Sequence, residues 1–353
     1  HELMARTRIV FWGSPGIAAE FLSDLHNNHG EHFEVKACVT QTEKTVQRQG
    51  KTAVRSAVHN RAEELGLPVF TPKSVKKEAD VLLHELTKIG FDLFVVLAYG
   101  KILPESIIHA PRLKSVNFHG SLLPLLRGAS PIEHSLLQGF TETGWTLQRI
   151  VEALDAGDVI AQSVVPIADD ETTGSLYGKL TADLIAHGAQ MLSDYVAGRA
   201  KIVPQDEAKA THCGKISAED GKLDFSRPAM EIRNRYRAFT PRPGVFAMFR
   251  GKKVKLAFDL APLPLTPSPL HGEGEALKHP SPPGRGRLRS GASPWGGEGG
   301  RGKLMREGKD GLFVICGDGN ALQISTVTPE GKKAMAVADF INGYRLTDTD
   351  LLT

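Results

Sequence analysis

Cysteine and long apolar runs are both scarce in this sequence. Its 353 residues include three cysteines, Cys38, Cys213 and Cys316, which lie far apart and form no CxxC pair. This spacing does not support a disulfide framework or a zinc knuckle, so we expect a reducing, cytoplasmic setting and no metal ion. No stretch approaches the ~20 apolar residues that a membrane-spanning helix needs, so we expect no membrane partner.

Net charge is also small, at +3, but it is unevenly distributed. Residues 1–203 carry 20 basic and 23 acidic side chains, whereas residues 204–353 carry 23 basic and 17 acidic ones. The second part of the chain is therefore clearly basic, which is compatible with a polyanionic partner. On charge alone, an ordinary solvated surface is the simpler interpretation.

Short β-branched or aromatic runs alternate with helical patterns through residues 4–203. This alternation predicts an α/β domain with a doubly wound, mostly parallel sheet that is covered on both faces. A helix from about Gly174 to Val196 should end the domain, a helix should start near Ala53, and the polar segment from Thr42 to Lys51 should be a loop. The predicted strands are TRIVFWG, FEVKACVTQ, LPVFTP, FDLFVVLAYG, SVNFHG, TGWTLQRIV and VIAQSVVPI.

A different pattern begins after residue 203 and predicts a second domain over residues 204–353. A helical stretch, MEIRNRYRAF, precedes short strands with glycine turns, which is typical of a small antiparallel β-barrel. Residues 262–302 contain 8 Pro and 10 Gly and show almost no apolar periodicity, so they are interpreted as an insertion into this domain.

The segment SVNFHGSLLPLLRG holds the most informative polar residues. Alternate side chains of a strand share a face, so Asn117 and His119 should lie side by side at the carboxyl end of a parallel strand. Asp155, in the turn EALDAGD between two later strands, is a candidate to meet them. An amide and an imidazole that stabilise an oxyanion, with a carboxylate that orients the imidazole, are suited to acyl transfer.

Other chemistries fit these residues less well. Ser121 has no GxSxG frame, so it is a poor candidate for a hydrolase nucleophile. The segment GSPG, at residues 13–16, has too few glycines for the GxGxxG dinucleotide motif, and its proline removes a backbone N–H. No HxH or HxxxH pair accompanies His119, so no metal is assigned.

The two stretches NFHGSLLPLLRGASPI and GWTLQRIVEALDAGDVI, in this order and spacing, resemble the folate-dependent formyltransferase family. The resemblance extends from about Thr7 to the last residues, apart from the insertion. It implies a Rossmann-like formyltransferase domain, a C-terminal barrel of the oligonucleotide-binding (OB) kind, and 10-formyltetrahydrofolate as formyl donor. The catalytic residues implied are Asn117, His119 and Asp155; the folate-binding residues implied are Ser121, Leu122, Leu123, Pro124, Leu97, Ala98 and Tyr99.

The resemblance also implies initiator methionyl-tRNA as the formyl acceptor and a monomeric enzyme. Expected tRNA contacts are Lys332 and Lys333 in GKKAM, with Lys44, Arg48 and Lys51 in the polar loop. This chain departs from the family pattern twice. Lys44 stands where the family has an arginine, which removes a bidentate phosphate contact. The family's GLD is ALD here; if that position needs a positive φ, alanine costs about 1 kcal/mol.

Three alternatives remain at this point. The acceptor could be a small amine such as an amino-sugar nucleotide, or water could replace the amine, as in a formyltetrahydrofolate hydrolase. A tRNA-binding module with a decayed active site is a third class, and the presence of Asn117, His119 and Asp155 argues against it.

Overall fold

The computed structural model describes residues 6–47, 51–260, 300–308 and 311–353. It divides into two compact units, His1–Ser217 and Ala218–Thr353. Residues 204–217, which the sequence analysis assigns to the second domain, therefore cluster with the first unit. Most of the predicted insertion, residues 261–299, lies outside the described residues.

The first unit contains eleven described strands and six described α-helices. Its strands are β1 (Thr7–Gly13), β2 (Phe33–Val39), β3 (Lys44–Gln47), β4 (Lys51–Val54), β5 (Val69–Phe70), β6 (Leu93–Leu97), β7 (Ser115–His119), β8 (Arg127–Gly128), β9 (Glu142–Arg149), β10 (Val159–Pro166) and β11 (His212–Cys213). Its helices are α1 (Gly16–Asn28), α2 (Ala57–Glu64), α3 (Ala79–Ile89), α4 (Glu105–Ile108), α5 (Pro131–Leu137) and α6 (Thr173–Val196).

A seven-stranded sheet in the order β10-β9-β7-β6-β1-β2-β5 forms the centre of this unit. Strands β7, β6, β1, β2 and β5 run parallel, whereas β9 is antiparallel to β7 and β10 is antiparallel to β9. This arrangement confirms the mostly parallel sheet. The predicted final helix is also present as α6, which starts with a capping box between Thr172 and Ser175.

The two faces of the sheet pack against different helices. On one face, Trp12 and Val96 belong to a buried core that includes residues of α3 and α4. On the other face, the rings of Phe11 and Phe118 contact Phe21 of α1, with centroid distances of 6.4 and 5.1 Å. Each fully buried ring of this kind contributes about 1.5–3 kcal/mol. The core therefore fixes which side chains of β7 face which helices.

The expectation of a loop over residues 42–51 was wrong in part. Strands β3 and β4 form an antiparallel hairpin in which Lys44 pairs with Val54 and Gln47 pairs with Lys51. The sequences KTVQ and KTAV each contain β-branched residues, which favour strands even in a polar context. Helix α2 consequently begins at Ala57 rather than near Ala53.

The elements of the second unit are α7 (Ala229–Phe239), β12 (Val245–Phe249), β13 (Lys252–Phe258), β14 (Leu304–Glu307), β15 (Gly311–Ile315), β16 (Ala321–Pro329), β17 (Met335–Ala336) and α8 (Val337–Tyr344). Its strands form an antiparallel sheet in the order β12-β13-β16-β15-β14, with the short strand β17 paired to β16. Leu352 bridges to Phe249 of the first strand in this order, and Leu351 bridges to Lys303 beside the last strand. These bridges join the two edges, so the sheet closes as the predicted β-barrel requires.

None of the helices in the described part of the chain combines the length and apolar character that crossing a membrane requires.

Candidate active site

Strand β7 carries Asn117 and His119 on one face, at its carboxyl end. Asn117 pairs with Val96 of β6 on one side and with Gln148 of β9 on the other. His119 pairs with Thr146 of β9 and is only 6% exposed. The two candidate residues therefore lie inside the sheet, where the strand order passes from parallel to antiparallel pairing, and not at an outer edge.

Both ring nitrogens of His119 face oxygen atoms of the protein. Nε2 donates a hydrogen bond of 2.8 Å to the backbone carbonyl of Leu126. Nδ1 lies 3.6 Å from Oδ2 of Asp155, which is too long for a direct hydrogen bond. The structure thus brings His119 and Asp155 together, as the sequence analysis expects.

The Asp155 carboxylate is held by two donors. Oδ2 accepts from the backbone N–H of Gly128 at 2.9 Å, and Oδ1 accepts from the Gln148 side chain at 3.0 Å. The backbone of Asp155 has a φ of 51°, in the left-handed region that aspartate tolerates better than most other residues. Ala153 does not have a positive φ, so the cost of about 1 kcal/mol that alanine would have in that conformation does not arise.

Asn117 differs from the other two in having no recorded partner. It is half-buried, and within the described residues the structure shows no hydrogen bond to its side-chain amide. Its N–H donors are therefore available to a substrate. Of the three candidate residues, Asn117 is the one best able to donate to a developing oxyanion without first breaking a contact.

Ser121 and Leu123 begin the turn after β7, and both are fixed by Thr146. The Thr146 hydroxyl donates to the carbonyl of Ser121 at 2.6 Å and accepts from the N–H of Leu123 at 3.0 Å. The hydroxyl of Ser121 itself donates to the carbonyl of Leu125 at 2.6 Å. This bond occupies the serine within the turn and agrees with the view that Ser121 is not a nucleophile.

A cavity of about 360 Å³ adjoins this turn, with Ser121 and Leu122 on one side and residues 139–143 on the other. Pro124, which follows a cis peptide bond, accepts a hydrogen bond at its carbonyl from Thr211. A larger cavity, of about 580 Å³, lies between β10 and α6, and its lining includes none of the expected catalytic residues. Size alone therefore does not identify the active site here.

The three expected folate residues at the end of β6 and just after it lie in different environments. Leu97 pairs with Phe118, so its side chain lies on the opposite face of the sheet from Asn117. Ala98 is exposed, at a φ of 49°. Tyr99 is 1% exposed and packs edge-on against Trp12, with ring centroids 5.4 Å apart. Of the three, only Tyr99 belongs to the core on the Asn117 face.

Two buried polar atoms on that face have no hydrogen-bond partner among the described residues, the Tyr99 hydroxyl and the indole N–H of Trp12. Burial, with a smaller contribution from Glu78, raises the pKa of Tyr99 above its usual value, so the hydroxyl keeps its proton. Orphaned polar atoms in an aromatic core need a polar partner. Neither side chain lines either of the two cavities described above, so a ligand that bonds to these atoms must displace part of the core.

The expected tRNA residues lie in two places. Lys44 and Lys51 are at the ends of the β3–β4 hairpin, and Arg48 lies outside the described residues. Lys332 and Lys333 are exposed between β16 and β17, and the Lys332 ammonium lies 5.2 Å from the centroid of the Tyr344 ring.

Several residues of the site were missed from the sequence. Thr146 and Gln148 alternate along GWTLQ, so strand periodicity together with the β7–β9 pairing could have identified them. Gln205 contacts the Asp155 turn directly, and Arg127 contacts it through Gln205. No such periodicity points to them, because Gln205 lies 50 residues after Asp155 in the sequence.

Comparison with known families agrees with this two-part architecture. Residues 7–185 match the family model described as formyl transferase, and residues 215–345 match the formyl transferase C-terminal domain. The fold and the paired matches together define a formyltransferase.

Curated relatives refine this class. The methionyl-tRNA formyltransferase of Leptospira interrogans is 36% identical over 341 residues, which cover 97% of this chain and 98% of the relative. That of Myxococcus xanthus is 37% identical over 343 residues, covering 97% of each. The chain belongs to the methionyl-tRNA formyltransferase family.

Solved structures support the fold. HypX from Aquifex aeolicus aligns with a TM-score of 0.56 at 16% identity, over 99% of this chain and 53% of that one. An N-formyltransferase from Helicobacter canadensis, solved with folinic acid and dTDP-3-aminofucose, aligns with a TM-score of 0.56 at 17% identity, over 91% of this chain and 99% of that one.

Proposed function

We propose that this chain transfers the formyl group of 10-formyltetrahydrofolate to the α-amino group of initiator methionyl-tRNA, in the cytoplasm and as a monomer. The observation that carries this proposal is the 36% to 37% identity, over 97% of the chain, with relatives of that name. The first domain carries the chemistry, and the second, more basic domain helps to hold the tRNA.

Asn117 is the oxyanion donor in this proposal. When the amine attacks the formyl carbon, negative charge develops on the formyl oxygen, and a preorganised N–H lowers the barrier by stabilising that charge. The amide of Asn117 suits this role because no described residue occupies it and because it shares a sheet face with His119. Removing one such donor costs about 2.7–4 kcal/mol of barrier.

His119 and Asp155 handle the proton. The new C–N bond to the methionyl nitrogen forms, the bond from the formyl carbon to N10 of the folate breaks, and one proton must pass from the amine to N10. The Asp155 carboxylate, which lies 3.6 Å from Nδ1 of His119 without a direct hydrogen bond to it, passes that proton on through water. A strong base is unnecessary, since an α-amino group with a pKa of about 7.7–8.0 is partly neutral at pH 7.

The folate is held along the Asn117 face. Tyr99, with the indole of Trp12, borders the pterin, and the turn Ser121–Leu122–Leu123–Pro124 supports the adjoining part of the molecule. The tRNA phosphates are contacted by five basic residues, Lys44, Arg48, Lys51, Lys332 and Lys333. Binding of tRNA should consequently weaken steeply as salt rises.

The test offers the enzyme several acceptors. The protein is incubated with 10-formyltetrahydrofolate and either methionyl-tRNA, an amino-sugar nucleotide, glycinamide ribonucleotide or buffer alone, and the formylated product is quantified. Formylation of methionyl-tRNA alone supports the proposal. Formylation of a small amine, or release of formate in buffer, would replace it with a small-molecule formyltransferase or a hydrolase.

A further inference from the structure

Residues 205–213 lie beside residues 125–129, the loop that follows the turn at residues 121–124. Strand β11 pairs in parallel with β8, with His212 beside Arg127 and Cys213 beside Gly128. The hydroxyl of Thr211 also accepts from the N–H of Leu126 at 2.9 Å. A segment that leads toward the second domain is thus hydrogen-bonded into the first one.

The loop held in this way is the one that contacts the catalytic candidates. Leu126 supplies the carbonyl that binds Nε2 of His119, and Gly128 supplies the N–H that binds Asp155. A displacement of this loop would therefore move both the imidazole and the carboxylate. Its attachment to residues 205–213 matters for geometry as well as for stability.

Gln205 makes the most direct connection. Its side-chain amide donates to the carbonyl of Asp155 at 2.8 Å and to the carbonyl of Gly157 at 2.7 Å. Its side-chain oxygen accepts from Arg127 at 3.0 Å through Nε and at 2.8 Å through Nη2. All the strong hydrogen-bonding capacity of this side chain is used.

Arg127 in turn is anchored at its far end. Its side chain is 5% exposed and forms paired hydrogen bonds of 3.0 and 2.7 Å with the carboxylate of Glu207, which is 70% exposed. Paired guanidinium–carboxylate bonds fix orientation as well as distance. Glu207, Arg127 and Gln205 therefore form one chain of hydrogen bonds that ends on the backbone of the Asp155 turn.

We propose that Gln205 is a positioning residue, which holds the left-handed turn at Asp155 so that the carboxylate stays opposite Nδ1 of His119. The inference rests on the proposed function, because it concerns the rate of formyl transfer. It adds a positioning residue that contacts neither substrate. A left-handed non-glycine residue persists only where its surroundings fix it. The two carbonyl contacts from Gln205 provide that restraint.

The decisive variant is Gln205→Glu. Glutamate has the same shape and still accepts from Arg127, but it replaces the donor with an oxygen that repels the carbonyls of Asp155 and Gly157. We expect kcat for formyl transfer to fall by about 10- to 100-fold with KM for both substrates close to wild type, and the unfolding midpoint to fall because two carbonyls lose their donor. Gln190→Ala, which removes an exposed glutamine of α6 that bonds to Asp194, is the matched control and should leave kcat unchanged.

A second substitution separates positioning from general structural support. In an Asp155→Ala background, Gln205→Glu should cause little further loss of kcat, because the carboxylate that it positions is gone. Hydrogen exchange of the Gly128 amide, whose proton is bound by Asp155, gives a readout that needs no turnover. It should quicken in Gln205→Glu and not in Gln190→Ala.

An unchanged kcat and unchanged Gly128 exchange in Gln205→Glu would overturn the inference, and so would a full additional loss in the Asp155→Ala background. If the wild-type protein formylates no methionyl-tRNA, the proposed function fails. Faster Gly128 exchange in Gln205→Glu would still establish the positioning role.

Discussion

Gly128 lies in the loop whose backbone contacts His119 and Asp155, and Gly128→Ala tests how this loop is built. Its φ is 116°, a conformation that L side chains rarely adopt. A Cβ at this position would lie 2.2 Å from the carbonyl oxygen of Cys213, whereas real contacts of this kind are essentially never under 3.0 Å. The two backbones must therefore separate by about 0.8 Å.

Two costs follow from that separation. The strained backbone contributes about 1–3 kcal/mol, because alanine cannot relax in the left-handed region. Loss of the 3.1 Å hydrogen bond from the Ala129 N–H to Cys213 adds about 0.5–1.5 kcal/mol. We expect the free energy of unfolding to fall by about 1.5–4.5 kcal/mol in total. Since the Gly128 N–H also binds Asp155, kcat should fall at least tenfold.

Urea unfolding and steady-state formyl transfer, measured on the same preparations, check both expectations. Gly178→Ala is the matched control, because Gly178 lies in α6 with open space around its Cβ position. This control should be more stable by about 0.5–1 kcal/mol and fully active. A Gly128→Ala protein with wild-type stability and wild-type kcat would contradict the close pairing of β8 with β11.

Further predictions concern stability, folate and tRNA. The hydrogen bond from Arg8 lowers the pKa of Asp92 to about 2. Because the unfolded pKa is about 3.9, this stabilisation is complete above about pH 5 and is lost as pH falls through the folded pKa toward about pH 1. Urea titrations at several pH values should therefore show Asp92→Asn destabilised at pH 7, with the difference from wild type shrinking steadily below about pH 4. Tyr99→Phe removes a buried hydroxyl that lacks a partner among the described residues, so thermal unfolding should show unchanged or higher stability. The KM for 10-formyltetrahydrofolate should rise severalfold, and an unchanged KM would exclude the hydroxyl from folate binding. Replacing Lys332 and Lys333 with alanine should weaken tRNA binding. The slope of the logarithm of the binding constant against the logarithm of salt concentration should become shallower by about 0.9 per lost phosphate contact. An unaltered slope in filter-binding titrations would count against these contacts.

Much of the fold follows from local patterns in the sequence. Strands such as β1 and β6 are continuous apolar runs because helices cover both faces of the sheet, and the period of two places Asn117 and His119 on one face of β7. Residue types and order were therefore sufficient to identify the sheet, α6 and the candidate trio.

Contacts between distant segments were not predictable in this way. Strands β8 and β11 have two residues each, too few for any periodicity, and their pairing joins segments about 85 residues apart. A positive φ at Ala153 was raised only as a condition, because the family has a glycine there, whereas the structure has the positive φ at Asp155. The side chain of Leu97 lies on the far face because the pairing register, which only the folded sheet reveals, matches it with Phe118.

The rate of one round of formyl transfer from 10-formyltetrahydrofolate to methionyl-tRNA, in wild type and in Asn117→Ala, tests the central mechanism most directly. Loss of the oxyanion donor should slow this step by about 10²- to 10³-fold while the unfolding midpoint stays unchanged, and Asn117→Asp, which keeps the shape without the N–H donors, should be similarly slow. A wild-type rate in either variant would contradict the assignment of Asn117 and the catalytic site built around it.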